Sequence, residues 1–214
     1  NIKITLIESD ENKGLGHGLN EIINHALLDK QNKYLARMDG DDIASIDRID
    51  KQVEFLSLNK NIDVCGGAVR EFGSSFACDK VQPPKKHHDL VDYSIYRCPF
   101  IHPTVMFRLE VFKTGIRYPT NYIIKEDLAL WFELILKGFR FENLPNILLD
   151  YRIDESSLKR RQGFSHAFGE MCERMKFMTS VKKISLKNIS LISLKFLLHL
   201  MPTSIMGFVY RYFR

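Results

Sequence analysis

Apolar positions along this chain follow two rhythms in turn. Residues 2–7 are rich in β-branched side chains and predict a strand. Residues 8–18 carry Gly14, Gly16 and Gly18 and read as a loop. Leu19, Ile22, Ile23, Ala26 and Leu27 then recur at the i, i+3, i+4, i+7, i+8 spacing of an amphipathic helix. A second strand, 34–38, runs directly into Asp39-Gly40-Asp41-Asp42. A helix starting near Asp47 places Ile49, Val53 and Leu56 inward, and another strand follows at 62–69.

The middle is less regular. Residues 83–96 hold a short helix, 98–103 a loop and 104–107 a short strand. Residues 126–137 form the strongest helical pattern, with Leu128, Trp131, Leu134 and Ile135 on one face and Gly138 as its stop. Extended segments at 139–141 and 147–151 precede a helix over 164–178, whose stripe is Phe164, Phe168, Cys172 and Met175. Strands alternating with helices predict an α/β architecture with a largely parallel sheet. Ligands in such sheets bind beyond the carboxyl ends of strands, where the Asp39 to Asp42 cluster falls.

Composition narrows the class. A chain of 214 residues suits one domain with a small appendage, and 45% hydrophobic with 27% charged residues is ordinary for a globular protein. A net charge of +5 suits anionic partners without choosing among them. Cys65, Cys78, Cys98 and Cys172 form no CxxC pair and no zinc spacing with the histidines, so reduced thiols in a cytoplasmic setting are expected. The chain opens on Asn1 at the start of a strand-like run, which suggests a start inside a longer protein. Its longest apolar stretch, 189–201, is interrupted by Ser190, Ser193, Lys195 and His199, short of the roughly 20 apolar residues that span a bilayer.

Three carboxylates in Asp39-Gly40-Asp41-Asp42 repel one another unless a cation or water screens them. Such oxygen-rich clusters suit Mg²⁺ or Mn²⁺, although Asp-Gly is also a common turn signal. A calcium EF-hand fails, because Ile43 and Ala44 stand where it needs a ligand and a glycine. Glu126-Asp127 opens the strongest helix, where carboxylates are favoured by the helix dipole, and taken alone that reading outweighs a general base. His102 lies in a loop before a strand and fits either a structural role or contact with a diphosphate. Lys13-Gly14 lies in the glycine-bearing loop before the first helix, as a solvated lysine or a phosphate contact.

Taken together, these segments resemble glycosyltransferase family 2, the nucleotide-sugar enzymes of GT-A type fold. The resemblance is carried in order by Asn12-Lys13-Gly14-Leu15, Tyr34-Leu35-Ala36-Arg37-Met38-Asp39-Gly40-Asp41-Asp42, Asp47-Arg48 and Lys51-Gln52-Val53-Glu54-Phe55-Leu56. It continues through His102-Pro103-Thr104-Val105-Met106-Phe107-Arg108, Glu126-Asp127-Leu128-Ala129-Leu130-Trp131 and Tyr151-Arg152. It implies a GT-A type, Rossmann-like catalytic domain over residues 1–158 and a basic helical appendage over 159–214. Asp39 and Asp41, with Asp42 adjacent, match the family's metal site for Mn²⁺ or Mg²⁺. Asp127 matches its base, with Glu126 beside the acceptor, and the reaction implied is inverting transfer from a nucleotide-diphosphate sugar to an acceptor hydroxyl. Lys13, Gly14, Asp39, His102, Arg152 and Asp154 fall where the donor is contacted. Two departures stand out: the family's first strands are absent, and Asp154 occupies a position where members often carry histidine. A nucleotidyltransferase and a truncated, non-catalytic, membrane-associated relative are the alternative readings.

Beyond residue 158, Lys159-Arg160-Arg161 is a short basic run. Residues 181–214 mix leucine-rich segments with Lys182, Lys183, Lys187, Lys195, Arg211 and Arg214. A basic amphipathic tail of this kind either lies on an anionic membrane surface or packs as helices on the catalytic part. The family's frequent work on lipid-linked sugar acceptors tips the balance slightly toward the membrane surface, so the expected setting is cytoplasmic with the inner face of the membrane as an option. The basic residues match no nucleic-acid-binding module.

Overall fold

The computed structural model describes residues 3–120, 125–154 and 163–202. In chain order these hold α1 (Leu15–Leu28), β1 (Tyr34–Ala36), β2 (Ile43–Ala44), α2 (Arg48–Leu58), β3 (Val64–Phe72) and α3 (His87–Ser94). A 3-10 turn (His102–Thr104) leads into β4 (Met106–Arg108) and α4 (Glu110–Lys113). Then come α5 (Glu126–Leu136), β5 (Phe141–Arg152), α6 (Phe164–Ser180) and α7 (Leu186–His199).

The strands form one mixed sheet in the order β1-β4-β3-β5-β2. Its centre is the parallel β3–β5 pair, running from Val64 opposite Phe141 to Phe72 opposite Arg152 with register shifts on both sides of Ala68. The pairings of β1 with β4, β4 with β3, and β2 with β5 are antiparallel, so the expected parallel order holds only at the centre. The crossover through α5 enforces that parallel pair, whereas β2 and β4 are too short for their direction to be read from pattern. The strand expected over residues 2–7 is not formed where described. Residues 3–8 pair with no strand among the described residues, and Ile4 and Leu6 are exposed.

The core lies between this sheet and α5. Trp131 stacks on Phe107 at 5.7 Å and meets Phe100 at 5.1 Å, with Phe112 and Phe141 closing the cluster. Helix α5 is buried beyond its predicted stripe, because Leu130 and Phe132 are covered too. Phe132 stacks on Phe177 of α6 at 4.1 Å, so one core joins α5, α6 and α7 through Phe177, Met178 and Ile192. Where β3 meets β5 the sheet needs glycine. A β-carbon on Gly66 would lie 2.6 Å from both Asn143 Oδ1 and Phe100 Cδ1.

Two helices bury polar residues beside part of the apolar stripe expected to face inward, with Leu56 and Val53 of α2 and Met175 of α6 still packed on the core. In α2 the buried residues are Arg48, Gln52 and Leu56, while Ile49 is half exposed. Arg48 Nη2 donates to the Arg37 carbonyl at 2.7 Å and its Nε to Gln52 Oε1 at 3.0 Å, while Gln52 Nε2 donates to the Thr104 carbonyl at 2.9 Å. In α6, Ala167, Glu170, Arg174, Phe177 and Met178 are buried, whereas Phe164 and Phe168 are exposed and stack on each other. In both helices an inward polar side chain finds charged or carbonyl partners, which makes its burial tolerable. The tail's α7 packs on the rest through Ile192 and His199, and Lys159-Arg160-Arg161 lie outside the described residues. No helix among the described residues is long and apolar enough to cross a membrane.

Candidate active site

Strand β1 ends just before the acidic loop. There one carboxylate oxygen each from Asp39, Asp41 and Asp42 lies within 4.8 Å of the others. Two arginines hold this repelling group together. Arg37, itself buried, grips Asp39 with both terminal nitrogens, Nη1 lying 2.8 Å from Oδ2. Its backbone N–H donates to the Val105 carbonyl at 3.0 Å, and its own carbonyl is the one that Arg48 holds. At the far end of β5, the Arg152 N–H donates to Asp42 Oδ1 at 2.9 Å and its Nε to the Asp41 carbonyl at 3.1 Å. The Arg152 guanidinium lies 4.6 Å from the Phe72 ring, so this side chain is held between β3 and the acidic loop.

Asp42 is the buried member, and its Oδ2 has no hydrogen-bond partner. Burial, reinforced by Asp39 and Asp41 and opposed by the Arg152 N–H, pushes the carboxyl up to about 6. A buried carboxyl with one unpartnered oxygen, grouped with two further carboxylates, fits a hard divalent cation, for which an all-oxygen set suits Mg²⁺ or Mn²⁺.

The second group stands on the first turn of α5. Asp127 Oδ1 accepts the Leu128 N–H at 2.7 Å, and burial followed by repulsion from Asp127 raises Glu126 above the usual carboxylate range. His102 lies nearby in a largely enclosed spot, with Nε2 2.8 Å from the Tyr118 hydroxyl and its ring edge-on to Trp131 at 5.9 Å. Burial pushes this imidazole down to about 4 although Asp127 pulls the other way, and burial holds the Tyr118 phenol above its ordinary range. His102 is therefore neutral and spends Nε2 on a structural partner. The Arg37 charge bears on Glu126, His102 and Tyr118 alike, so the acidic loop and the start of α5 lie close enough to share one electrostatic environment.

Helix α1 closes the side of the site. A β-carbon on Gly16 would meet the Pro119 carbonyl at 3.0 Å and Glu126 Cβ at 3.6 Å, so the first turns of α1 and α5 touch. Gly14, at a φ of +88°, sits at the open end of α1 with its N–H on Asn12 Oδ1, and Lys13 is exposed beside Glu11. Asp154 follows β5 as an exposed residue, near Arg152 in sequence. The structure thus gathers Asp39, Asp41, Asp42 and Arg152 at one end, Glu126, Asp127 and His102 at the other, with Lys13 and Gly14 at the α1 margin. Sequence reasoning missed Arg37, Asn20 and Tyr118. Asn20 locks α1 to the site by exchanging two 2.8 Å hydrogen bonds with the backbone of Tyr118. The available signal was a polar residue inside an apolar pattern, as with Arg37 within the segment 34–38 expected to be a strand.

A mixed α/β sheet with an acidic loop after β1 and two carboxylates on the first turn of α5 is consistent with the GT-A type fold. The chain belongs to glycosyltransferase family 2, whose profile, described as Glycosyl transferase family 2, matches residues 1–116. It is a glycosyltransferase by the same likeness. A glycosyltransferase of Haemophilus influenzae is 30% identical over 217 aligned residues, covering 99% of this chain and 78% of its own length. The UDP-Gal:alpha-D-GlcNAc-diphosphoundecaprenol beta-1,3-galactosyltransferase of Escherichia coli is also 30% identical, over 99% of this chain and 74% of its own. Among solved structures, the mannosyltransferase PcManGT of Pyrobaculum calidifontis, in complex with GDP-Man and Mn²⁺, superposes with a TM-score of 0.57 at 15% identity. That match covers 94% of this chain, which spans 60% of the mannosyltransferase. At that identity it speaks to fold alone.

Proposed function

We propose that the protein transfers a sugar, with inversion, from a nucleotide-diphosphate sugar to the hydroxyl of a lipid-linked sugar in surface polysaccharide or glycolipid synthesis. The observation that carries the reading is the trio of carboxylates within 4.8 Å at the end of β1, with Asp42 Oδ2 unpartnered. Asp39, Asp41 and Asp42 hold a divalent cation, which when bound supplies charge neutralisation for the departing diphosphate. Lys13 and the backbone at Gly14 approach the diphosphate from the α1 margin, and Arg152 and Asp154 border it from the end of β5. Asp127 takes the proton of the acceptor hydroxyl. The freed oxygen forms its bond to the anomeric carbon as the bond to the diphosphate breaks on the opposite face, and the nucleoside diphosphate leaves. Glu126, beside it, binds the acceptor. Neutral His102 steadies the wall behind them through Tyr118.

The galactosyltransferase relative, named for a UDP-sugar donor and a diphosphoundecaprenol-linked acceptor, supports the substrate classes. The mannosyltransferase, with its GDP-sugar and Mn²⁺, supports the cofactor class. A lipid-linked acceptor brings the protein to the inner face of a membrane. In this reading residues 1–158 carry the chemistry and residues 159–214 form the appendage that braces them.

The test is thermal stability with UDP, GDP, CDP or dTDP, each with Mn²⁺ or with EDTA. One nucleotide at ~100 times its Kd stabilises by about 2.7 kcal/mol in Mn²⁺ alone, and Asp41→Asn removes the effect. A nucleotide shift that survives both EDTA and Asp41→Asn overturns the metal-site assignment, and no shift with any nucleotide overturns donor binding by this chain.

A further inference from the structure

A second charged cluster lies behind the site, and no step of the proposed chemistry uses it. Glu170 of α6 is 4% exposed and draws cations from three elements. Its Oε1 accepts Arg174 Nε at 2.8 Å and Nη2 at 2.6 Å, and lies 3.1 Å from Lys195 Nζ of α7. Its Oε2 lies 3.3 Å from Lys125 Nζ and 3.9 Å from His199 Nδ1. Arg174 in turn donates to the carbonyls of Ser94 and Arg97, and Lys195 to that of Tyr96.

Burial alone would raise Glu170, yet Lys195, Arg174 and Lys125 together hold it below the carboxylate range. Burial and Arg174 push Lys195 down to about 7, and burial pushes His199 down to about 4. One carboxylate therefore answers several cations. Without it they repel one another across a buried space, where charge is poorly screened.

The consequence lies in the identity of Lys125. It is the cap residue of α5, one position before Glu126 and two before Asp127. Its Nζ, 3.3 Å from Glu170 Oε2, links the residue that opens α5 to α6. We infer that Glu170 is a positioning residue: through Lys125 it fixes the first turn of α5, and with it the carboxylates of Glu126 and Asp127. The two tail helices thereby become part of how the acceptor end of the site is built. Being a third exposed at its side chain, Lys125 can be altered with less threat to folding than Glu170. The inference rests on Asp127 as the base.

The test uses the full chain with Lys125→Met, Lys125→Arg, Glu170→Gln and Asp127→Asn. Hydrogen exchange over residues 126–129 is compared with exchange over 131–135, and turnover is measured with sugar esters of the nucleotide that the thermal screen selects and GlcNAc-diphosphoundecaprenol as acceptor. Lys125→Met is expected to speed exchange of the first turn only. It lowers kcat on the order of tenfold to a hundredfold, as a displaced reacting group does, and leaves donor KM within about twofold. Lys125→Arg restores both readouts, and Glu170→Gln, where it folds, acts like Lys125→Met. Unchanged exchange in Lys125→Met overturns the inference, as does a loss that Lys125→Arg fails to rescue. If Asp127→Asn turns over normally, the base assignment fails and takes this inference with it. If Asp127→Asn is inactive while Lys125→Met behaves as the unaltered protein, only the positioning role fails.

Discussion

His102 makes the stability of this fold depend on pH in a calculable way. Its imidazole is enclosed by Tyr118 and Trp131 and pushed down to about 4 from an ordinary 6.5, burial outweighing the attraction of Asp127. The unfolded chain thus takes up this proton before the folded one does. The contribution is whole above pH ~6.5 and is lost as the pH falls toward the folded value. The full shift corresponds to about 3 kcal/mol, and about 2 kcal/mol of it is gone by pH ~5. Urea unfolding of the unaltered protein and of His102→Gln, at steps from pH ~7.5 to ~5, measures it. Glutamine keeps a partner for the Tyr118 hydroxyl but does not titrate, and the remaining carboxylates cancel in the difference. The stability difference between the two proteins should shrink by about 2 kcal/mol over that range. A flat difference curve would show that His102 is not held neutral by its surroundings, and the picture of a closed wall behind Asp127 would go with it.

Gly66→Ala drives a β-carbon to 2.6 Å from Asn143 Oδ1 and Phe100 Cδ1, at the seam of β3 and β5. Overpacking of this kind costs about 1–3 kcal/mol, so an unchanged denaturation midpoint would contradict the tight seam. We also predict that Phe164 and Phe168, exposed and stacked on α6, enter an anionic bilayer surface. Replacing both by serine should weaken co-sedimentation with phosphatidylglycerol vesicles on the order of tenfold while leaving the melting temperature alone. Equal binding by both proteins would remove the membrane role of this face.

Much of the site was legible because its chemistry is written in contiguous residues. Asp39, Asp41 and Asp42 share one loop, and Glu126 and Asp127 share one helical turn, so a resemblance in order and spacing carried them. Helix α5 was legible for a similar reason, since an apolar pattern that dense leaves no other conformation able to bury it. The strand at residues 2–7 failed because β-propensity states only that a segment suits a sheet, and no described strand lies beside it.

The larger misreadings concern α2 and α6, and they share a cause. Apolar periodicity assigns the inward face to Ile49 and to Phe164 and Phe168, because it counts every charged residue as outward. In both helices an i, i+4 polar pair is buried instead, Arg48 with Gln52 and Glu170 with Arg174. Each pair reaches past its own helix to backbone carbonyls or cations of elements that carry the site: Arg37 and Thr104 in the first case, Lys125 in the second. A buried charge is tolerable only where partners far away in sequence converge on it, so its inward direction has no local signature. Such groups fix geometry where apolar packing leaves a side chain free to slide, and a loop of three repelling carboxylates needs that fixing most. The residues hardest to read from pattern are, on this argument, the ones that hold the legible residues in place.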